Sequence, residues 1–167
     1  MPARARSFEP VVLAGARVLI LGSMPGAASL AARQYYAHPY NQFWPIVAQL
    51  LGFDPALPYA ERLTQLQRGG LALWDVLESC VRPGSLDSAI EHHSAVANDI
   101  PGLLRRHPTI TRLCCNGGTA YAALRRHFGA HPLLQSVEVR RLPSTSPANA
   151  SWTRARKLAA WRESLSL

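Results

Sequence analysis

Four short apolar runs, each followed by glycine, proline or polar residues, place the strongest constraint on the fold of this chain. They cover residues 17–21, 71–76, 112–115 and 137–142. A short run that is apolar throughout is typical of a strand buried on both faces, whereas the alternating pattern of residues 137–142 favours an edge strand. The sequence therefore predicts four strands.

Five patterns typical of helices lie among and after these runs. The predicted helices cover residues 43–51, 59–67, 97–106, 119–128 and 152–165. In the first of them, apolar residues recur at the spacing that places them on one helical face. Ser151 is the predicted N-cap of the last helix. Strands that alternate with helices indicate a parallel sheet with helices on both sides and right-handed crossovers. Because no linker or repeat interrupts the pattern, we expect a single domain over residues 1–167.

Small, polar or turn-forming residues follow each predicted strand. They are Gly22 and Ser23, Asp75, Asn116 and Gly117, and residues 144–146. Ligands of parallel sheets bind beyond the carboxyl ends of the strands. We therefore expect these residues to share one rim of the sheet, with a single site there.

The charge of the chain favours a polyanionic partner. The formal net charge is +8 at pH 7, and nearly all the cations are arginines because Lys157 is the only lysine. Each phosphate that a protein neutralises releases counterions and adds affinity that does not depend on sequence. A high arginine content also reflects genomic base composition, so charge supports nucleic-acid binding without establishing it.

Cysteine usage and hydropathy indicate a soluble, cytoplasmic protein without a metal. The three cysteines, Cys80, Cys114 and Cys115, contain no Cys-x-x-Cys pair and fit a reducing compartment. No stretch approaches the roughly 18 apolar residues of a membrane helix, and no apolar signal segment opens the chain. Residues 91–93 (Glu-His-His) do not favour a metal site, since adjacent side chains diverge on a helix or a strand.

The most informative segment follows the first strand. Residues 22–26 (Gly-Ser-Met-Pro-Gly) predict a bent loop whose backbone N–H groups can face an anion. Residues 34–44 (Gln-Tyr-Tyr-Ala-His-Pro-Tyr-Asn-Gln-Phe-Trp) place aromatic rings, a histidine and an amide just before a helix. A pocket for a flipped nucleotide needs aromatic faces that stack on the base and polar groups that read its edge. Core packing and an N-cap are the alternative explanation of these residues.

These two segments closely resemble motif 1 of the uracil-DNA glycosylase superfamily. Residues 37–44 are similar to the Ala-His-Pro-x-Asn-x-Phe-Trp run of mismatch-specific uracil glycosylases. Gly-Ser-Met-Pro together with Tyr-Tyr-Ala-His-Pro resembles the hypoxanthine-DNA glycosylase branch, family 6, still more closely. The similarity continues through residues 73–77, 84–90 and 116–117. It ends at residues 142–149 (Leu-Pro-Ser-Thr-Ser-Pro-Ala-Asn), which resemble motif 2 of that branch.

The resemblance implies a three-layer α/β/α sandwich with a central four-stranded parallel sheet. It also implies an enzyme that hydrolyses the N-glycosidic bond of a deaminated base, hypoxanthine ahead of uracil, flipped out of double-stranded DNA. Because the lone Lys157 gives no obvious Schiff-base nucleophile, a monofunctional enzyme is favoured over a bifunctional lyase. No cofactor is implied, and we expect a monomer. A uracil- or xanthine-directed glycosylase and an inactive nucleic-acid-binding protein are the alternatives. A small-molecule α/β enzyme is disfavoured because the chain lacks a Gly-x-Gly-x-x-Gly or P-loop fingerprint.

Site residues also follow from the resemblance. Many superfamily members position the attacking water with an aspartate or asparagine in the motif 1 loop, where this chain has Met24. Asn41 is therefore the expected catalytic residue, and it can serve as a helix N-cap at the same time. Tyr36 matches the residue that stacks on the flipped base. Leu142 replaces the polar residue that opens motif 2 in other members, which favours a purine lesion.

Further candidates surround these residues in the same segments. The expected base-binding residues, in addition to Tyr36, are Gly22, Ser23, Met24, Pro25, His38, Asp75 and Asn116. The expected DNA-binding residues are Ser144, Thr145, Ser146 and Asn149. A structural hydrogen bond is the alternative role for His38, and a cap of the following turn is the alternative role for Asp75.

Overall fold

The computed structural model describes residues 3–166, which contain two sheets and seven α-helices. The strands are β1 (Arg4–Arg6), β2 (Val18–Gly22), β3 (Leu71–Asp75), β4 (Leu77–Val81), β5 (Glu91–Ala97), β6 (Arg112–Asn116) and β7 (Glu138–Leu142). The helices are α1 (Ala27–Ala32), α2 (Phe43–Leu51), α3 (Tyr59–Arg68), α4 (Ile100–Arg106), α5 (Gly118–Phe128), α6 (Pro132–Gln135) and α7 (Arg154–Leu165).

The larger sheet consists of four parallel strands in the order β3-β2-β6-β7. The predicted four-stranded parallel sheet is confirmed, and so is the position of β7 at an edge. The register aligns the carboxyl ends of the strands, because Gly22 pairs with Asp75 and Asn116 pairs with Leu142. The polar residues that follow these strands therefore lie along one rim.

Helices cover both faces of this sheet. Leu19 and Leu21 of β2 pack into a core with side chains of α4, α5 and α6. Val18 and Ile20 of the same strand pack into a second core with side chains of α2, α3 and α7. Alternate side chains of a strand point to opposite faces, so β2 contributes to both cores and is buried along its whole length. The three-layer α/β/α arrangement is confirmed.

The second sheet, antiparallel and ordered β1-β4-β5, was not predicted. Strand β5 is partly exposed and pairs with β4 through two register shifts, so its residues carry little hydrophobic periodicity. The helix predicted over residues 97–106 is wrong at its start, because Ala97 ends β5. Helix α4 begins at Ile100, where the Asp99 carboxylate accepts the N–H of Gly102 at 3.0 Å as an N-cap.

Helices α1 and α6 were not predicted either, since six and four residues are too few to show a helical period. The predicted N-cap of the last helix is also corrected. Helix α7 starts at Arg154, and the hydroxyl of Thr153 accepts the N–H of Arg156 at 3.2 Å. Ser151 lies two residues too early, and its hydroxyl donates to the Asn149 side chain at 3.3 Å.

Three observations concern membrane-spanning helices, metal sites and the cysteines. Within residues 3–166, no helix has both the length and the apolar character needed to cross a membrane. In the same range, no group of three or more His, Cys, Asp or Glu side chains is placed to hold a metal ion. The three cysteines are free and buried, and Cys114 and Cys115 lie inside β6.

Candidate active site

A cleft of about 910 Å³ opens at the carboxyl ends of the parallel strands. Every residue predicted from the sequence for catalysis, base binding or DNA binding lines this cleft. Its volume is in the range of pockets that enclose small ligands. The rim predicted for the sheet is therefore the inner wall of one cleft.

Three residues form a close contact at the floor of the cleft. Gly22 lies beside Asp75 in the strand register, and a Cβ atom at Gly22 would clash with a carboxylate oxygen of Asp75. The same Cβ would lie 3.2 Å from the hydroxyl oxygen of Tyr36. Glycine is required at position 22 because it leaves room for both polar side chains beneath the cleft.

Two polar atoms at this floor are buried without a hydrogen-bond partner among the described residues: Oδ2 of Asp75 and the hydroxyl of Tyr36. Burial, and then the negative charge of Asp87, raise the pKa of Asp75 to about 7, against the opposing effect of the Arg82 cation. Burial and the nearby Asp75 also raise the pKa of Tyr36, against the opposing effect of the neighbouring Asn116 amide. Below about pH 7 the floor thus offers two neutral groups, and both can still form hydrogen bonds.

Tyr36 presents its ring to the cleft while resting on the core. The ring stacks on Phe43 with centroids 4.0 Å apart and an interplanar angle of 25°. The backbone of Tyr36 has a φ of 56°, a conformation that is uncommon for residues other than glycine. Strained backbone of this kind concentrates at ligand sites. In Tyr36 it occurs together with a ring that packs on Phe43 with one face and lines the cleft with the rest of its surface.

Replacing Tyr36 by phenylalanine is expected to leave the free energy of unfolding unchanged or to raise it by up to about 1 kcal/mol, since a buried hydroxyl without a partner is removed and the stacked ring is kept. Urea titration measures the free energy of unfolding of the variant and of the wild type. Tyr35→Phe is the matched control, because the Tyr35 hydroxyl donates to the carbonyl of Glu9 at 2.8 Å. Its loss should destabilise the protein by about 1 kcal/mol. Equal losses in the two variants would contradict the prediction.

Asn41 lies at the wall of the cleft immediately before α2. The side-chain oxygen of Asn41 accepts the backbone N–H of Phe43 at 2.9 Å. The backbone N–H of Asn41 donates to the carbonyl of His38 at 2.9 Å. The N-cap residue of α2 is Gln42, which makes no side-chain cap hydrogen bond, so the N-cap role considered for Asn41 is wrong by one residue, although its side chain still holds the first N–H of the helix. A carbonyl oxygen has two lone pairs, so one hydrogen bond to Phe43 orients the amide and leaves a lone pair for another donor.

His38 lies at the exposed mouth of the cleft. Its Nδ1 accepts the N–H of Tyr40 at 3.1 Å. The structural hydrogen bond that was the alternative role for His38 therefore exists. A contact between His38 and DNA stays a prediction.

Two carbonyl groups of the loop at residues 22–26 are bound by Arg82, which the sequence did not identify. The Arg82 guanidinium is buried and donates to the carbonyls of Pro25 at 2.6 Å and Gly84 at 3.0 Å. A third, longer contact reaches the carbonyl of Met24 at 3.5 Å. Because Arg82 lies in the segment after β4 and meets the loop only in three dimensions, no local pattern could have revealed it.

Side chains from residues 85–87 hold the same loop. The hydroxyl of Ser23 donates to Asp87 at 2.7 Å, and the backbone N–H of Ala27 donates to the hydroxyl of Ser85 at 2.8 Å. Ser85 and Asp87 were noticed in the sequence only as part of a block that resembles the family. The structure gives that block a function in supporting the loop.

Met24 contributes no polar side-chain group to the cleft. Its side chain is buried in the core beneath the loop, with 6% of its surface exposed. A thioether cannot orient water, and the expectation that Asn41 has this role stays a prediction. Leu142 is likewise buried and contributes no polar group to the cleft.

The loop over residues 144–149 is attached to the sheet by Asn116. The Asn116 amide donates to the hydroxyl of Thr145 at 3.0 Å and accepts the N–H of Thr145 at 3.0 Å. Thr145 is fully buried, so the role visible in the structure is to fix the loop. The side chains of Ser144, Ser146 and Asn149 are partly exposed along the cleft.

The two loops that border the cleft are joined to each other. The backbone N–H of Gln42 donates to the carbonyl of Thr145 at 2.9 Å. Gly117, with a φ of 99°, approaches Ser144 so closely that a Cβ atom would lie 3.0 Å from the Ser144 Cβ. The residues before α2 and the residues after β7 therefore form one continuous wall.

The whole chain is similar to known glycosylases. A family model described as the uracil DNA glycosylase superfamily matches residues 10–165. A protein of Methanosarcina acetivorans named hypoxanthine DNA glycosylase is 34% identical over 155 residues, which cover 91% of this chain and 92% of the relative. A protein of the same name from Methanosarcina barkeri is 31% identical over 163 residues, covering 96% of this chain and 97% of the relative.

A solved structure agrees with these sequence matches. The solution NMR structure of a Methanosarcina acetivorans protein, provisionally described as a uracil DNA glycosylase, superimposes with a TM-score of 0.79 at 32% identity. The match covers 98% of this chain and 97% of that chain. The chain therefore belongs to the uracil DNA glycosylase superfamily.

Proposed function

We propose that this protein is a monofunctional DNA glycosylase that removes a deaminated base, hypoxanthine first, and leaves an abasic site. The observation that carries the proposal is the cleft itself, where an aromatic ring, an oriented amide and a buried carboxyl group line one space. Two relatives that are similar over nearly their whole length are named hypoxanthine DNA glycosylase. The missing polar group at Leu142 favours a purine over uracil.

The reaction needs stabilisation of charge more than a strong base. Breaking an N-glycosidic bond develops positive charge on the sugar and negative charge on the departing base, as in other glycoside hydrolyses. Preorganised donors around the leaving base supply most of the stabilisation. The backbone N–H groups of residues 22–26 are the proposed donors, since the loop lines the cleft and Arg82 fixes it through the carbonyls of Met24 and Pro25.

Asn41 is the proposed catalytic residue. Its amide oxygen, already fixed by the N–H of Phe43, would orient the attacking water through its second lone pair. Tyr36 would stack on the flipped base, and Ser144, Ser146 and Asn149 would contact phosphates beside the lesion. The substrate would be duplex DNA with the damaged nucleotide flipped out, bound by a monomer in the cytoplasm.

Hydrolysis is favoured over a lyase reaction by the position of Lys157. A lyase needs an amine that attacks the sugar. The only lysine of the chain lies in α7, is buried with 1% of its surface exposed, and does not line the cleft. The proposed enzyme therefore uses water as its nucleophile.

The proposal is tested with a labelled duplex that contains one deoxyinosine. Protein is incubated with this duplex and with matched duplexes that carry uracil, xanthine or only normal bases. Released base is identified by chromatography, and abasic sites are revealed by alkali. We expect excision of hypoxanthine at the highest rate and no reaction with the normal duplex. Faster excision of uracil or xanthine would support the proposed reaction but would show that hypoxanthine is not the preferred base.

A DNA-binding protein without activity is the second candidate, and the burial of Met24 is the observation that favours it. This alternative predicts tight binding of the deoxyinosine duplex without release of any base. Folded protein that binds each duplex and excises nothing would overturn the proposed function.

A further inference from the structure

Arg82 is a buried cation that binds the loop over residues 22–26 without lining the cleft itself. It has only 7% of its surface exposed. Among the described residues, no acidic side chain forms an ion pair with its guanidinium. The guanidinium donates instead to the backbone carbonyls of Met24, Pro25 and Gly84. Burial of a charge without a counter-ion is costly, so its presence here indicates that the charge has a function.

The contact with the carbonyl of Pro25 is the shortest of the three, at 2.6 Å. This carbonyl and the N–H of Gly26 belong to one peptide group. No peptide bond of the described chain is cis, so the N–H of this group points in the direction opposite to its carbonyl and away from Arg82. Gly26 lines the cleft, and its N–H has no hydrogen-bond partner among the described residues, whereas the N–H of Ala27 donates to Ser85.

A cation bound to the oxygen of a peptide group makes the N–H of that group a stronger donor. Linked hydrogen bonds polarise one another, and bonds that involve a charged group are the stronger ones. Burial raises the pKa of Asp75 at the floor of the cleft, and the Arg82 cation opposes this rise, so its charge acts at the cleft. The nearby Asp87 does not cancel that charge by direct contact, because it accepts the hydroxyl of Ser23.

We propose that Arg82 is a positioning residue for base excision, whose buried charge orients and polarises the Pro25–Gly26 peptide so that the Gly26 N–H stabilises the departing base. This role rests on the proposed glycosylase function and deepens it. When the bond between sugar and base breaks, its electron pair stays on the base, and the hydrogen bond from Gly26 becomes stronger as the negative charge develops. Arg82 contacts neither the base nor the water, and it transfers no proton.

The test is the dependence of the excision rate on the leaving base. One duplex carries deoxyinosine, and a second carries 8-aza-deoxyinosine, in which a ring nitrogen replaces a C–H group and stabilises the departing anion. Wild-type protein, Arg82→Met and Arg82→Lys are compared in single-turnover reactions with protein in excess. Methionine fills much of the space of the arginine stem without a charge, whereas lysine keeps the charge.

Arg82→Met should excise hypoxanthine about 30-fold more slowly than wild type, a smaller loss than the roughly 100-fold expected when a donor is removed outright. The loss should shrink to about fivefold with the 8-aza base, because a more stable anion depends less on the polarised donor. Arg82→Lys should stay within about fivefold of the wild-type rate on both duplexes, since it keeps the charge. Affinity for a duplex with 2′-fluorinated deoxyinosine, which resists hydrolysis, should change by less than about threefold in both variants.

Arg112→Met is the matched control. Arg112 also donates to two backbone carbonyls, those of Ser164 and Ser166, and it begins β6 at the end of the strand opposite the cleft. This variant should lose stability but keep the wild-type rates on both duplexes. Thermal melts establish that each variant is folded.

Failure of this inference can be distinguished from failure of the proposed function. If wild-type protein excises no deaminated base, the glycosylase proposal fails. If it excises hypoxanthine, but folded Arg82→Met is slowed equally on the two duplexes or is not slowed at all, the inference about Arg82 is overturned and the glycosylase proposal stands. Equal rates for Arg82→Lys and Arg82→Met would also overturn it, because the charge would then have no effect.

Discussion

Asn41→Ala is expected to lower the rate of hypoxanthine excision by about 100-fold, the usual effect of removing one preorganised polar group from an active site. The Asn41 side chain lines the cleft, and a hydrogen bond from the N–H of Phe43 fixes its oxygen at 2.9 Å. Alanine leaves the attacking water without this acceptor. Single-turnover excision from the deoxyinosine duplex measures the effect, with protein in excess so that the chemical step is observed.

The same substitution also removes a hydrogen bond at the start of α2, so its effect on stability must be separated from its effect on catalysis. Asp99→Ala is the matched control, because the Asp99 side chain also accepts a backbone N–H at the start of a helix, α4, and lies outside the cleft. Both variants should lose about 1 kcal/mol in free energy of unfolding. Only Asn41→Ala should lose activity. Asn41→Asp, which keeps an oxygen in the same place, should recover most of the rate. Equal activity of the Asn41→Ala and Asp99→Ala variants would eliminate the catalytic role.

Asn116→Ala is expected to produce the largest loss of stability, about 3 kcal/mol. The amide makes two hydrogen bonds of 3.0 Å to Thr145, and both residues are buried. Removal leaves the N–H of Thr145, a fully buried residue, without its partner, and a buried unsatisfied donor is costly. The melting temperature should fall by roughly 10 °C, given 2–4 °C per kcal/mol for a domain of this size.

Thr145→Val provides the comparison for Asn116→Ala. Valine has nearly the same shape as threonine and keeps the backbone N–H bond to Asn116, so the loss should be limited to about 1 kcal/mol. Scanning calorimetry and urea titration measure both variants. If Asn116→Ala lowers the free energy of unfolding no more than Thr145→Val does, the amide does not hold the loop.

The affinity for a duplex should fall in proportion to the disorder that each variant introduces into residues 144–149.

The main sheet could be predicted from sequence because its strands are short, apolar and buried. Strand β2 has no exposed residue, and its run of aliphatic side chains leaves no other interpretation. Strand β5 could not be predicted in the same way, since it is partly exposed and its pairing with β4 is irregular. Its last residue, Ala97, was attributed to a helix for this reason. Hydrophobic periodicity reports burial, and β5 is not buried.

The candidate site, like the fold, could be predicted from the sequence only in part. Residues at strand ends, such as Asp75 and Asn116, could be placed together because the carboxyl ends of parallel strands share one edge. The interactions of these residues could not be foreseen. Nothing local indicates that Asn116 is bonded to Thr145 or that Arg82 holds a loop more than fifty residues away. Such contacts depend on the packing of distant segments.

Both walls of the cleft are anchored by indole groups. The N–H of Trp44 donates to the carbonyl of Tyr35 at 2.9 Å, and the N–H of Trp161 donates to the carbonyl of Pro143 at 3.0 Å. Together with the bond from Gln42 to Thr145, these contacts order the walls before any DNA arrives. Little conformational entropy then remains to be lost on binding, and more of the interaction energy is available to unstack a nucleotide. We expect such a rigid receptor to select first for weak base pairs, which open at low energy, and only afterwards for the chemical identity of the base.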